Sequence, residues 1–226
     1  MANVTRRNFL ALSVAAPVGG LWTGGPGGKD GKTPLSPREK IRQRYFPDVT
    51  VVTHEGKKVR FYDDLIKDKI LYLNVMFAHC ADVCPLVTSN LVKVQRSLKD
   101  LMGRDIFIVS LTLKPEMDSP KVLREYMKGY GVGPGWTFVT GEPATLELLR
   151  VKLGFTYPDP EIDKDATQHI GNVRYGNEPK MLWGACPGMA SPSWIITSLS
   201  YLVPPPLKDK LLSAAQAPKA LAVCQL

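Results

Sequence analysis

Two thiols stand four residues apart in Cys80-Ala81-Asp82-Val83-Cys84-Pro85, where an apolar run, Ile70 to Phe77, meets an amphipathic segment. Thiolates attack disulfides and bind soft metals, so this pair is the first candidate for chemistry. Three intervening residues suit a disulfide, with Cα atoms about 5.5 Å apart, or two ligands on one soft ion. Simple packing is a third reading, because free cysteine is among the most buried residue types. Pro85 disfavours helical conformation at Cys84 while fitting the first helical position. Both sulfurs therefore belong near a helix N-terminus, where orphan N–H groups and the macrodipole are expected to lower a thiol pKa.

The remaining chemistry-bearing residues are sparse. Of the three histidines, His79 adjoins Cys80, and a side chain beside a ligand in extended chain points away, so it reads as a surface residue. His54 sits in a turn and reads as solvated; His169 lies in a long segment, Pro158 to Pro192, rich in glycine and proline. Met181, Cys186 and Met189 put three soft donors around Trp183, and read as apolar anchors of that segment rather than a second metal site. Cys186 and Cys224 leave a tail-tying disulfide open in an oxidising compartment.

The elements that must position the thiols follow from periodicity. Val49 to Thr53 is a β-branched strand, turning at Gly56 into Lys58 to Tyr62 as a hairpin. Ile70 to Phe77 is nearly continuous in apolar residues, as a central strand covered on both faces requires. Val87, Leu91, Val94, Leu98 and Leu101 then mark one face of a helix ended by Gly103. Ile106 to Leu111 is a second buried strand. Ser119-Pro120 opens a helix that turns Leu123 and Tyr126 inward and stops at Gly131. Trp136 to Thr140 reads as a strand, Pro143 to Gly154 as a helix, Ser193 to Leu202 as a late strand, and Lys208 to Gln216 as a short helix. Strand–helix alternation implies parallel pairing, hence an α/β sandwich with a central mixed sheet flanked by helices, of thioredoxin type.

Composition narrows the classes. The 226 residues, 44% hydrophobic, supply the core of one ordinary domain with extensions. The net charge of +8 is scattered rather than condensed into a stripe, which reads as a solvated surface and excludes an evident nucleic-acid motif. Four cysteines are too few for a disulfide scaffold. At the N-terminus, Thr5-Arg6-Arg7-Asn8-Phe9-Leu10 precedes a mildly apolar segment, Leu10 to Trp22, and resembles a bacterial twin-arginine export signal. That segment is too short and glycine-rich to span a bilayer, which takes about 20 apolar residues. The expected organisation is a signal over 1–28, a flexible linker over 29–45, one domain over 46–204, and a tail or short helix over 205–226. Export places the thiols in the periplasm, with membrane tethering if the signal is not cleaved.

Three motifs carry a family resemblance. Phe77-Ala78-His79-Cys80-Ala81-Asp82-Val83-Cys84-Pro85 resembles the thiol motif of the Sco/SenC family, usually Cys-Pro-x-x-Cys-Pro. Leu113-Lys114-Pro115-Glu116-Met117-Asp118-Ser119-Pro120 is similar to that family's Val-Asp-Pro-Glu-Arg-Asp-Thr-Pro, and Gly135-Trp136-Thr137-Phe138-Val139-Thr140-Gly141 to its Gly-Trp-x-Phe-Leu-Thr-Gly. The order and spacing agree over about residues 45 to 204. The resemblance implies a thioredoxin-like domain that binds copper through Cys80, Cys84 and the distal His169. It further implies delivery of copper to, or reduction of the cysteines of, the dinuclear copper centre of cytochrome c oxidase. Its partners would be the copper-bearing subunit of that oxidase, or another copper-dependent client, and a periplasmic thiol reductant. Two thiolates with one imidazole suit Cu(I) better than Cu(II). The chain departs from the family at Ala81, at Lys114, and at Gln168, where an aspartate usually precedes the histidine; Asp165 is the candidate to orient the ring instead. The stretch Asn172 to Pro179 does not read like the family's strand-turn-strand end. Without metal, the same pair would serve a thiol-disulfide oxidoreductase, the alternative reading.

Overall fold

The computed structural model describes residues 34–80, 83–164 and 171–216, and from Leu35 onward these form one unit. Helix α1 (Pro37–Tyr45) comes first, followed by the hairpin β1 (Thr50–Thr53) and β2 (Lys58–Arg60), a single π-helical turn (Phe61–Ile66) and β3 (Ile70–Met76). The chain continues through α2 (Val83–Ser97), β4 (Ile106–Thr112), α3 (Pro120–Tyr130), β5 (Trp136–Thr140), α4 (Pro143–Lys152) and α5 (Pro160–Lys164). It ends with β6 (Asn172–Asn177), β7 (Leu182–Pro187), α6 (Pro192–Ser200) and α7 (Pro205–Gln216).

The strands form one seven-stranded sheet in the order β2-β1-β5-β4-β3-β6-β7. Its centre, β3, β4 and β5, is parallel, and the flanking pairs are antiparallel. Six of the seven β3 residues are buried, which is why its sequence is apolar except at Asn74 rather than alternating. Alternation instead sorts them between the two faces. Tyr72 and Met76 point to a core shared with Leu91 and Leu98 of the α2 segment, Leu123 of α3, Ile195 and Leu199 of α6 and Leu211 of α7. Leu71, Leu73 and Val75 point to the opposite core, with Phe46, Phe61 and the α4 residues Leu146 and Leu149.

The hairpin, the three parallel strands and the helices α2 to α4 stand where periodicity placed them. Ser119 caps α3 by accepting from the Val122 N–H, and Gly131 closes it at φ 65°, a left-handed conformation that glycine takes without strain.

Two segments differ from expectation. The run Ser193 to Leu202 is not a strand: α6 occupies it, started by the Ser191 hydroxyl, which accepts from the Trp194 N–H, and by Pro192 in the first turn. Its β-branched Ile195, Ile196 and Thr197 imitate strand propensity, but tertiary packing of Ile195 and Ile196 overrides it. The sheet is extended instead by β6 and β7, inside the segment read as a loop, so Asn172 to Pro187 is a strand-turn-strand unit after all. Its alternation is masked by Gly176 and Gly184. A Cβ on Gly176 would lie 2.2 Å from the Trp183 ring, and one on Gly184 2.6 Å from the Tyr175 ring, so glycine is there to admit an aromatic neighbour.

The second difference is α1, which lies within the stretch 29–45 expected to be linker. Ser36 caps it, and Arg38 anchors it to Glu178 with contacts of 2.7 to 3.1 Å. The Glu178 side chain is wholly buried and also accepts from the Tyr62 hydroxyl at 2.6 Å and the Asp68 N–H at 2.6 Å. Burial and this bond push the Tyr62 phenol up to about 12. The Arg38 guanidinium is held still more firmly protonated by Glu178 and Asp68. An ion pair reaching from residue 38 to residue 178 has no periodic signature.

Candidate metal centre

β3 delivers the chain to a turn in which the Cys80 N–H donates to the Phe77 carbonyl at 3.2 Å. Cys84 is the second residue of α2, and Pro85 follows where no N–H is needed. Cys80 is 9% exposed and Cys84 2%, neither is in a disulfide, and a side-chain hydrogen bond links Cys84 to Cys80. The pair is thus assembled, in the core cluster that also holds Met76 and Val87.

The electrostatics of Cys84 run against the sequence expectation. Burial first, and the contact with Cys80 second, push its thiol well above the ordinary range, while backbone hydrogen bonds at Phe77 and Cys84 pull the other way. A helix N-terminus lowers a thiol pKa where water can still solvate the thiolate; here desolvation is the larger effect.

A polar staple holds the turn from the other side. Asp118, wholly buried, accepts from the Ala78 N–H at 3.0 and 3.3 Å and from the Thr112 hydroxyl. Thr112 in turn accepts from the Lys114 N–H at 3.0 Å, so the loop after β4 and the turn after β3 are fixed to one another. Lys114 extends its ammonium over the Phe77 ring, 4.5 Å from the centroid, which places its positive charge beside the thiol turn. In sequence Asp118 is only a motif letter; its burial beneath the turn is a tertiary fact. Deeper in the same face, the Trp136 indole N–H donates to Ser110 at 2.8 Å and Ser110 to Asn74 at 2.6 Å, so buried polar groups under α2 are matched.

His169, Asp165, Gln168 and Ala81 lie outside the described residues, as do Cys224 and the twin-arginine segment. The chain reappears at Gly171, two residues beyond His169, packed on the first turn of α2: a Cβ there would lie 2.6 Å from the Val83 side chain. The Gly171 carbonyl accepts from the Gly188 N–H at 2.7 Å, and Asn90 of α2 donates to the carbonyls of Gly188 and Ala190 at 3.1 Å each. Two strands and α2 thereby meet beside Cys84. Among the described residues no group of three His, Cys, Asp or Glu side chains converges to hold a metal. The described donors are the two soft thiols.

The other histidines are not brought to the pair. His79 is exposed, as its position beside Cys80 suggested. His54 is not solvated as expected: half-buried, it accepts from the Phe138 N–H through Nδ1 at 3.3 Å, and burial lowers its pKa. Met181, Cys186 and Met189 do not converge. Cys186 faces the thiol-side core, Trp183 faces the opposite core against Phe46 at 5.0 Å, and Met189 is 59% exposed. Burial pushes the Cys186 thiol up to about 11. Among the described residues, no helix is long and apolar enough to cross a membrane.

A mixed sheet with helices on both faces, and a buried thiol pair where the central strand meets a helix, defines a thioredoxin-like protein with a dithiol site. Comparison with known proteins narrows the class: a SCO1/SenC family model matches residues 38–195, and the chain belongs to that family. It is 29% identical over 93 residues to a SCO1 protein homolog of Bacillus subtilis, covering 41% of this chain and 47% of that protein, and so spans about half of that relative. Copper-bound ScoI of Bradyrhizobium japonicum superposes with a TM-score of 0.55 at 18% identity, over 68% of this chain and 96% of the other. BsSco, described as a member of the Sco family of cytochrome c oxidase assembly proteins and as having a disulfide switch, gives 0.55 at 22% identity, over 75% and 92%. At these identities the superpositions establish the fold.

Proposed function

We propose that the chain is a copper-handling assembly factor of the periplasm, with copper as its cargo. Cys80 and Cys84 supply two thiolates and His169 an imidazole, a set whose softness favours Cu(I). The observation that carries this reading is the return of the chain to the Cys84 turn at Gly171. Two residues of extended chain reach about 7 Å, a span that allows a ligand at position 169 to serve the thiols. Thiols must shed their protons to bind metal, so loading releases protons to solvent and uptake weakens in acid. A trigonal site leaves room for a ligand of the client to join before a chain ligand departs. The copper-bound relative and the description of BsSco as one of the cytochrome c oxidase assembly proteins support this direction; the client we infer is the copper-bearing subunit of that oxidase.

Metal analysis after anaerobic reduction tests the site. The full chain should bind about one copper per molecule, and Cys80→Ala, Cys84→Ala and His169→Ala should each abolish tight binding. Undiminished affinity in His169→Ala would refute the three-ligand arrangement. Export rests on Arg6 and Arg7, and Arg6→Lys with Arg7→Lys should leave the protein in the cytoplasmic fraction; unchanged fractionation removes that part of the reading.

A second reading, thiol-disulfide exchange, is favoured by the side-chain hydrogen bond between Cys84 and Cys80. In it one thiolate attacks a client disulfide, the other thiol resolves the mixed disulfide, and the client leaves with both electrons and both protons. Negligible Cu(I) binding together with rapid client reduction would select this reading over the first.

A further inference from the structure

On the face of the sheet opposite the thiol pair, a cleft of about 640 Å³ opens between α1, the end of α4 and the strands β6 and β7. Small-molecule sites occupy about 300–1,000 Å³, so the space is of ligand size. Its floor is apolar, with Phe46, Leu73, Leu153 and Trp183. Its charged lining among the described residues has one sign only: Lys40 and Arg44 from α1, Lys152 from α4 and Arg174 from β6, with no aspartate or glutamate among them. Two glutamates that belong to or anchor α1 are already engaged, Glu39 with Arg42 and Glu178 with Arg38. Cations on an apolar wall concentrate their field outward and attract anions.

A second observation points to an acceptor from outside. Arg174 Nε and Trp183 Nε1 are buried without a hydrogen-bond partner among the described residues, although most buried donors in folded proteins are paired. Both residues line the cleft, on adjacent strands, with the Trp183 ring laid over Gly176. Arg174 spends one nitrogen on the Gly154 carbonyl and rests its guanidinium 5.3 Å from the Phe155 ring centroid. It has no ion pair among the described residues, and burial alone lowers its pKa. An anion would supply both the missing acceptor and the missing counter-charge.

We propose that this cleft binds a small amphiphilic carboxylate, its apolar body on Phe46, Leu73 and Leu153 and its carboxylate accepting from Arg174 and Trp183 once these side chains turn their buried N–H groups to the ligand. A bare anion would leave the floor wet, and a neutral apolar molecule would leave the donors unpaired. The site stands apart from the thiol pair and does not rest on the copper reading.

Calorimetric titration of the full chain with decanoate, decanol and acetate tests the proposal. Decanoate should bind one per chain and about tenfold or more tighter than decanol, the difference a charge-assisted hydrogen bond provides, and acetate should not saturate. Arg174→Gln should remove most of the preference for decanoate. Because Arg174 also holds the Gly154 carbonyl, Trp183→Phe provides the second variant: it keeps an aromatic ring and removes the donor, and should weaken decanoate several-fold while leaving decanol unchanged. Equal affinity for decanoate and decanol, decanoate binding unchanged in both variants, or no saturable binding of decanoate would each overturn the assignment.

Discussion

Under α2, the buried polar atoms find their partners within the chain. Asp118 takes the Ala78 N–H and the Thr112 hydroxyl, and Trp136, Ser110 and Asn74 form a donor-to-acceptor chain. Across the sheet, Glu178 is likewise satisfied by Arg38, Tyr62 and Asp68, yet Arg174 and Trp183 retain buried donors without partners among the described residues. Satisfied groups on the first face fix a turn whose function is to hold two sulfurs in place. Unsatisfied groups on the second are what a site for an outside acceptor looks like before it is filled. The contrast separates residues that position from residues that recruit.

Removing the staple at the thiol turn should have the largest effect on stability. Asp118→Ala leaves a buried N–H and a buried hydroxyl without acceptors, and should cost about 3 kcal/mol in urea unfolding. Alkylation of Cys80 should also accelerate, since the turn that buries it is released. A loss below about 1 kcal/mol with unchanged alkylation would mean that Asp118 does not hold the turn.

On the opposite face, Arg38→Ala removes the ionic partner of a wholly buried carboxylate. Breaking fully buried pairs costs about 3–5 kcal/mol, but the Arg38 side chain is 42% exposed and Tyr62 and Asp68 continue to serve Glu178. About 2 kcal/mol is the expected loss, together with faster amide exchange in α1. If α1 keeps its protection, the segment is held by Phe46 and its apolar neighbours instead.

The pH dependence of stability tests burial at Cys186. Its thiol rises from 9.0 to about 11 in the folded protein, so the folded state keeps the proton after the unfolded chain has shed it. The contribution is therefore complete below pH 9 and is lost as pH climbs toward 11, on the order of 2 kcal/mol over the window. Reduced wild type should lose stability more steeply than Cys186→Ala between those pH values. Parallel curves would show that the thiol is solvated in the native state.

Much of this architecture was legible in the order of residues. Apolar runs located β3 and β4 because a strand covered on both faces leaves few polar positions, here Asn74, Ser110 and Thr112, and the four-and-three spacing from Val87 to Leu101 located the inward face of α2. The thiol pair was legible because Cys80, Cys84 and Pro85 lie within one turn. Three things were not. The raised pKa of Cys84 depends on how deeply α2 settles, the staple at Asp118 joins residues 40 apart, and the Arg38–Glu178 pair joins residues 140 apart. The pair β6 and β7 was hidden for a different reason: its inward positions carry glycines that make room for Trp183 and Tyr175, so alternation was replaced by small–large complementarity.

The helix starts carry a subtler lesson. Ser36-Pro37, Ser119-Pro120 and Ser191-Pro192 begin α1, α3 and α6 with the same chemistry: a hydroxyl accepting from an N–H three residues on, and a proline where no donor is needed. In sequence the signal reads plainly only at Ser119, since the glycine-rich stretch before Ser36 and the β-branched residues after Ser191 argue for other conformations. If the cap is what decides α6, Ser191→Ala should cost about 1 kcal/mol and fray the first turn near Trp194, seen as faster amide exchange there. If exchange and stability are unmoved, Ile195 and Ile196 hold the helix by packing alone. The dipeptide would then mark where α6 begins without helping to form it.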